Sequence, residues 1–287
     1  MKKGWILGLV CTLLISCQYK PAKLAYITNR DGNFNIYITD EKGNEHLPLT
    51  QNPGMDWYPK WNTQQGGILY YTSDTSGQFS IQMMDTDGEA LPFDSGLLEE
   101  CILSPDAGYA LWTKKEGEYK HIYLYSFEEQ SSIPIITGNY YNGRPQWSPT
   151  GAAFSFISNR NGSNELYMHK LKEQKTIQLT ANKNREKYTS WSSDGSAIIF
   201  TQEYASNNKN DIFKVVISNK KITQITNDTL YYEEIAWSPN GKKIAFHGNR
   251  NGKHQIFTLS TNGKKEKQIT GFEAYHGEPE WVPTGRN

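Results

Sequence analysis

Six positions separated by 42 to 46 residues carry side chains able to recognise a ligand by charge, hydrogen bonding or ring stacking: Tyr58, Glu100, Arg144, Tyr188, Glu234 and Glu278. If the chain closes into a ring of repeats, three carboxylates, a guanidinium and two phenols would converge there and make the mouth of the ring mildly acidic. Close by, Trp57, Tyr141, Arg185, Tyr232 and His276 complete the candidate binding face. Polar aromatics mixed with charge are the composition of recognition surfaces, because Tyr and Trp supply contact area with a hydrogen-bonding tip. The same rings can instead staple neighbouring repeats, since tyrosine packs well at sheet ends.

Catalytic chemistry has no comparable signature. Gly-x-Ser-x-Gly, His-Glu-x-x-His and Cys-x-x-Cys patterns do not occur, and these are what nucleophilic and zinc-dependent sites require. His46, His121, His169, His247, His254 and His276 show no ligand spacing, so a metal site would have to assemble from separate repeats. No catalytic residue, metal or cofactor is assigned.

The elements that must position the candidate face follow from a marker three residues after each of the six positions: Trp61, Leu103, Trp147, Trp191, Trp237 and Trp281, with a mean period of 44. Four short strand signals fall within each period, which predicts an all-β fold: a single six-bladed β-propeller with four-stranded antiparallel blades. In the last full unit, residues 235–237 form an inner strand and Ser238, Pro239, Asn240, Gly241 a turn. Residues 243–247 form the second strand, Asn249, Arg250, Asn251, Gly252 a second turn, 255–260 the third strand and 267–270 the outer one. The second turn recurs as Asn29, Arg30, Asp31, Gly32 and as Asn159, Arg160, Asn161, Gly162, residue types that tolerate the positive φ of a tight hairpin. Residues 24–28 read as a second strand with no Trp strand before it, and residues 278–285 as an inner strand with no successors. The C-terminal strand is therefore expected to pair with the N-terminal blade and close the ring, removing exposed edges. Frequent Gly (24), Tyr (18) and Trp (8) suit short strands and tight turns, and 37% hydrophobic residues suffice for a core.

The first segment stands apart from this pattern. Lys2 and Lys3 precede 13 uncharged, largely apolar residues, 4–16, too short a run to cross a ~30 Å bilayer core. Leu14, Ile15, Ser16 and Cys17 resemble the lipobox of bacterial lipoproteins, which implies a signal peptide over 1–16, lipidation of Cys17, a tether over 17–23 and the propeller over 24–287. Several acyl chains, at ~0.8 kcal/mol per buried CH₂, anchor a protein firmly where one does not. Without residues 1–16 the chain has 28 basic and 30 acidic residues, net −2, with no basic tract, which excludes generic nucleic-acid affinity. Cys101 then has no disulfide partner and reads as a small buried apolar residue.

The succession Trp, Ser, Pro, Asp/Asn, Gly, a strand such as Ile244, Ala245, Phe246, the Asn-Arg-Asp/Asn-Gly turn, then Ile36, Tyr37 or Ile256, Phe257, and a closing Leu, Thr resembles the TolB-type WD-like propeller repeat. Leu103 in the Trp slot and Trp61 without a following Pro mark blades two and three as divergent. The resemblance covers nearly all of residues 24–287 and implies a cell-envelope module that binds a protein partner. The family's type member carries an α/β domain ahead of its propeller, where only residues 18–23 stand here, so a direct equivalent is not expected. Propellers with this repeat also occur in peptidases and polysaccharide lyases; a carbohydrate-binding or lyase-like enzyme using the loop face is the alternative, with a glycan or peptide as ligand. Gln18, where Asp would retain a lipoprotein at the inner membrane under the enterobacterial rule, resembles a lipoprotein of the outer membrane facing the periplasm.

Overall fold

A computed structural model describes residues 22–62, 66–91, 101–204, 209–228, 230–250 and 252–283. These residues form six four-stranded antiparallel sheets arranged as the blades of one propeller, with no α-helix among them. The first blade joins the two ends of the described chain: Lys23–Thr28 pairs on one side with Asn35–Asp40 and on the other with His276–Val282, placing Leu24 opposite Trp281. The expected closure by the C-terminal strand is therefore present. The inner strands of the other blades are Asp56–Asn62, Cys101–Leu103, Asn142–Trp147, Arg185–Trp191 and Glu233–Trp237.

Period-two alternation decides how the blades pack, because successive side chains leave opposite faces of a strand. In Ala197–Glu203 every residue is buried. Ile198 and Phe200 enter the core shared with the fourth blade, while Ile199 enters the core shared with the sixth. Each of the six blade interfaces has its own apolar cluster of this kind. A blade missing from the ring would expose two of them.

The repeated sequence signatures each have a hydrogen-bonding reason. In the turn after the inner strand, the backbone N–H of Ser104, Ser148, Ser192 and Ser238 donates to the carbonyl five residues on, at 2.8–2.9 Å. Its Gly slot has a left-handed backbone, φ 72° at Gly151, 70° at Gly195 and 68° at Gly241, and Ala107 fills it in the third blade at φ 56°. The closing Leu-Thr pair works through the hydroxyl: Thr50, Thr180, Thr226 and Thr270 each accept, at 2.9 Å, the first apolar N–H of the third strand of their blade. The Trp markers tie blade to blade, Trp147, Trp191 and Trp281 donating from Nε1 to carbonyls of Ile102, Gln146 and Ala236 in the preceding inner strand, at 2.8 to 3.1 Å.

Candidate functional site

Inner strands are interrupted at the position three residues before the Trp marker. Their pairing skips a residue between Trp57 and Lys60, Gly143 and Gln146, Glu233 and Ala236, and opposite Ala25 to Ile27 in the closing strand. These are β-bulges, which re-aim a side chain at the cost of a ladder bond. Tyr58, Arg144, Glu234 and Glu278 occupy them with φ of 52°, 54°, 48° and 53°. A left-handed backbone costs an L-residue with a Cβ roughly 1–2 kcal/mol, and such outliers cluster where a site requires a particular side-chain direction. In the fifth blade the bulge lies one residue earlier, between Glu186 and Thr189, and the Tyr188 N–H donates to Thr201 Oγ1 at 3.1 Å.

The four re-aimed side chains, with Tyr141 and Tyr188, line an axial cavity of about 300 Å³, the lower end of pockets that hold small ligands. The wall also includes Lys60, Tyr71, Trp112, Thr113 and Lys120, which the repeat pattern did not single out. Trp112, Thr113 and Lys120 belong to the hairpin Tyr109–Glu116 and Tyr119–Ser126, eight residues on each arm, so their reach into the cavity depends on hairpin length and not on the marker spacing. Trp57 packs between blades instead, Arg185 is exposed at the start of its strand, and Tyr232 and His276 are 1% and 0% exposed in the interior. Glu100, like Cys17, lies outside the described residues.

Electrostatics divide the cavity. The Glu278 carboxylate accepts the Tyr58 N–H at 2.5 Å, and the Glu234 carboxylate accepts the Glu278 N–H at 2.7 Å, so each acid ties its bulge to that of the next blade. Burial, followed by the charge of Glu234, pushes the Glu278 carboxyl up to about 8. Burial also works against the charge of Glu234, but His247, the Glu278 N–H and Lys60 outweigh it and keep that carboxyl below its usual range. Burial and the neighbouring charge therefore disfavour ionising both carboxyls at once. Lys60 is committed to Glu280 at 3.1 Å. Across the ring, the Arg144 guanidinium lies 4.3 Å over the Tyr188 ring and has no carboxylate partner among the described residues.

A histidine pair backs the acidic side. His247 Nδ1 lies 3.4 Å from Glu234 Oε2 and its Nε2 lies 2.8 Å from His254 Nδ1. The hairpin register pairs Asn249 with His254, which brings both rings together on one sheet; that signal was available once the four-residue turn was placed. Among the described residues no three His, Cys, Asp or Glu side chains form a metal-binding group. Cys101 is buried with its thiol pushed up to about 12 by desolvation, which makes it unreactive.

The Asn-Arg-Asp/Asn-Gly turn does more than reverse the chain. Asn29 and Asn159 accept the N–H groups of Tyr275 and Tyr141 at 2.9 and 2.8 Å, and Arg250 donates to the Tyr231 carbonyl at 3.1 Å. Arg160 lies over Tyr140, Phe156 and Tyr167, and Arg250 over Tyr232, Phe246 and Phe257, all within 5.6 Å. Cation–π stacking of this kind contributes ~0.5–2 kcal/mol. The motif thus clamps the loop leading into an inner strand and sets where the mouth residues stand.

Comparison with known proteins agrees with this architecture. The TolB β-propeller domain profile matches residues 78–232. No curated protein matches the chain. TolB from Acinetobacter baumannii superposes with a TM-score of 0.75 at 20% identity, over 92% of this chain and 67% of that one. A TolB-type structure from Agrobacterium tumefaciens superposes at 0.64 and 16% identity, over 92% and 100%. An oligogalacturonate lyase from Vibrio parahaemolyticus does so at 0.54 and 12% identity, over 86% and 73%.

Proposed function

This chain belongs to the TolB β-propeller domain family, and on that footing we propose that it is a lipid-anchored binding module of the cell envelope that engages a protein partner at the mouth of its axial cavity. The observation that carries the reading is the set of four bulged, left-handed residues, Tyr58, Arg144, Glu234 and Glu278, around one cavity. Backbone strain repeated at equivalent positions is costly, and rigid blades holding mixed charge and tyrosine suit recognition of a partner loop. Tyr58 is 45% exposed and supplies an aromatic contact at the rim.

The lipobox-like Leu14 to Cys17 segment supports anchoring, and Gln18 supports an outer-membrane destination facing the periplasm. Only six residues separate Cys17 from Leu24, so the partner would meet the propeller at the membrane surface. Fractionation and in-cell crosslinking test this. The unaltered chain is expected in the outer-membrane fraction with a crosslinked protein partner, and Cys17→Ala in the soluble periplasm. Recovery of Cys17→Ala with membranes, or crosslinking unchanged by Arg144→Gln, would defeat the reading. A glycan-acting alternative draws on Tyr58, Tyr141, Tyr188 and Arg144 in one cavity, a surface on which sugar rings can stack. Turnover of an acidic oligosaccharide panel, lost in Arg144→Gln, would favour it.

A further inference from the structure

The axial cavity is bipolar, and its charges specify a ligand more narrowly than a binding face does. Glu234 and Glu278 come from the sixth and first blades, whereas Arg144 comes from the fourth, opposite the first in a six-membered ring. Each carboxylate uses one oxygen, Oε2, for the neighbouring bulge N–H, and neither Oε1 has a hydrogen-bond donor among the described residues. Lys60 pairs with Glu280 at 3.1 Å and offsets the charge of the pair only in part. Arg144 is oriented against Tyr188 and has no carboxylate partner among the described residues, so its guanidinium offers charge-assisted donors to an anionic group.

We propose that the cavity takes a short zwitterionic peptide, with its ammonium group on Glu234 and Glu278 and its carboxylate on Arg144. This rests on the cavity being the binding site, but not on any protein partner. The groups around the acid pair are His247, His254 and Glu233 from the sixth blade, Tyr188 from the fifth, Tyr58 and Lys60 from the second, and Tyr275 from the loop before the closing strand. Like charges held together favour retention of one proton, and an ammonium ion seated between them takes its place. Binding near neutrality should therefore release a proton. Both ionic contacts are charge-assisted hydrogen bonds.

Calorimetric titration of the detergent-solubilised full chain with trialanine, N-acetyl-trialanine and trialanine amide tests the proposal. The free peptide should bind and, when buffers of different ionisation enthalpy are compared at pH 7, release up to about one proton. Acetylation and amidation should each weaken binding about tenfold or more, the loss expected for a charged hydrogen bond. Glu278→Gln should abolish the proton release, and Arg144→Gln should make the amide and the free acid bind alike. Equal binding of all three peptides, or none at millimolar concentration, would overturn the proposal; these comparisons use the unaltered chain and so survive a variant that fails to fold. Trialanine binding without a crosslinked partner would leave this inference standing and remove the protein-partner reading. A partner whose crosslinking requires Arg144, with no peptide binding, would do the reverse.

Discussion

Replacing Trp281 by Ala tests whether the ring depends on its closing strand. Trp281 is 3% exposed in the cluster shared by the sixth and first blades and donates to the Ala236 carbonyl at 3.1 Å. A buried Trp removes ~150–250 Å² from water, which at ~25 cal/mol/Å² is about 4–6 kcal/mol as an upper bound; Trp→Ala in cores costs ~3–5 kcal/mol. Trp237 is the matched control. It holds the same marker position but is half-buried, and its Nε1 has no acceptor among the described residues. Trp281→Ala should cost about 4 kcal/mol and Trp237→Ala about 1–2 kcal/mol less, given ~1 kcal/mol for the hydrogen bond and the smaller buried area. For a domain of this size, ~2–4 °C per kcal/mol turns the larger loss into a fall in Tm of about 8–16 °C. Urea and thermal unfolding measure both, and amide exchange should accelerate first in Lys23–Thr28, which pairs with the strand carrying Trp281. A loss below ~1 kcal/mol for Trp281→Ala, or equal losses for the two variants, would refute the reasoning behind the closure.

Other expectations follow from the same contacts. Ala107→Gly should stabilise the chain by ~0.5–1 kcal/mol in urea unfolding, because relief of the left-handed strain at φ 56° exceeds the added flexibility of glycine. Thr180→Val strands the Leu166 N–H and Glu165 Oε2, which it now serves at 2.9 and 2.6 Å, and should cost ~2–4 kcal/mol. Thr270→Val should cost less, since its second partner is the neutral Gln255 amide; equal losses would contradict the charge argument. Glu186 is buried, with no donor to Oε2 among the described residues, and burial raises its carboxyl from 4.5 to about 8. A carboxyl raised on folding contributes stability below 4.5 that is lost as pH rises through about 8. Glu186→Gln should therefore flatten the decline of Tm across that window, and an unchanged slope would place the cause elsewhere, with Glu278 as the other raised carboxyl.

The architecture was legible because each blade repeats a short script whose reasons are local. Pro and Gly set the turn after the inner strand, β-branched and aromatic residues fill strands buried on both faces, and Trp147, Trp191 and Trp281 tie blade to blade. Strand ends were less legible: the second and third strands of the sixth blade run as Lys243–Arg250 and Lys253–Ser260, so the hairpin ladder extends to Arg250 opposite Lys253, beyond the 247 and 255 limits of the sequence reading. For the site, the marker offset identified Tyr58, Arg144, Tyr188, Glu234 and Glu278 at the cavity. It missed Lys120 and Trp112 because hairpin length is invisible to a period. It also could not separate Tyr232 from Tyr231. Tyr232 donates to Asp228 from an interior position, and Tyr231 donates to Glu233 beside the His247 pair.

The bulges explain how residues at this offset come to line the cavity. Strict alternation would send the residue three before the Trp to the face opposite the one the Trp occupies, between blades and away from the axis. An extra residue in the strand breaks that alternation and turns Tyr58, Arg144, Glu234 and Glu278 toward the channel, with the left-handed backbone as the cost. The strain is tolerated because the residues on either side are fixed. At Arg144 and Glu278 the loop before is clamped by the Asn of the hairpin turn in the blade, and the Trp after is fixed by its indole bond to the previous blade. The contacts that close the ring are thus the contacts that aim the site, and a lesion at a Trp marker should alter ligand binding before it unfolds the propeller.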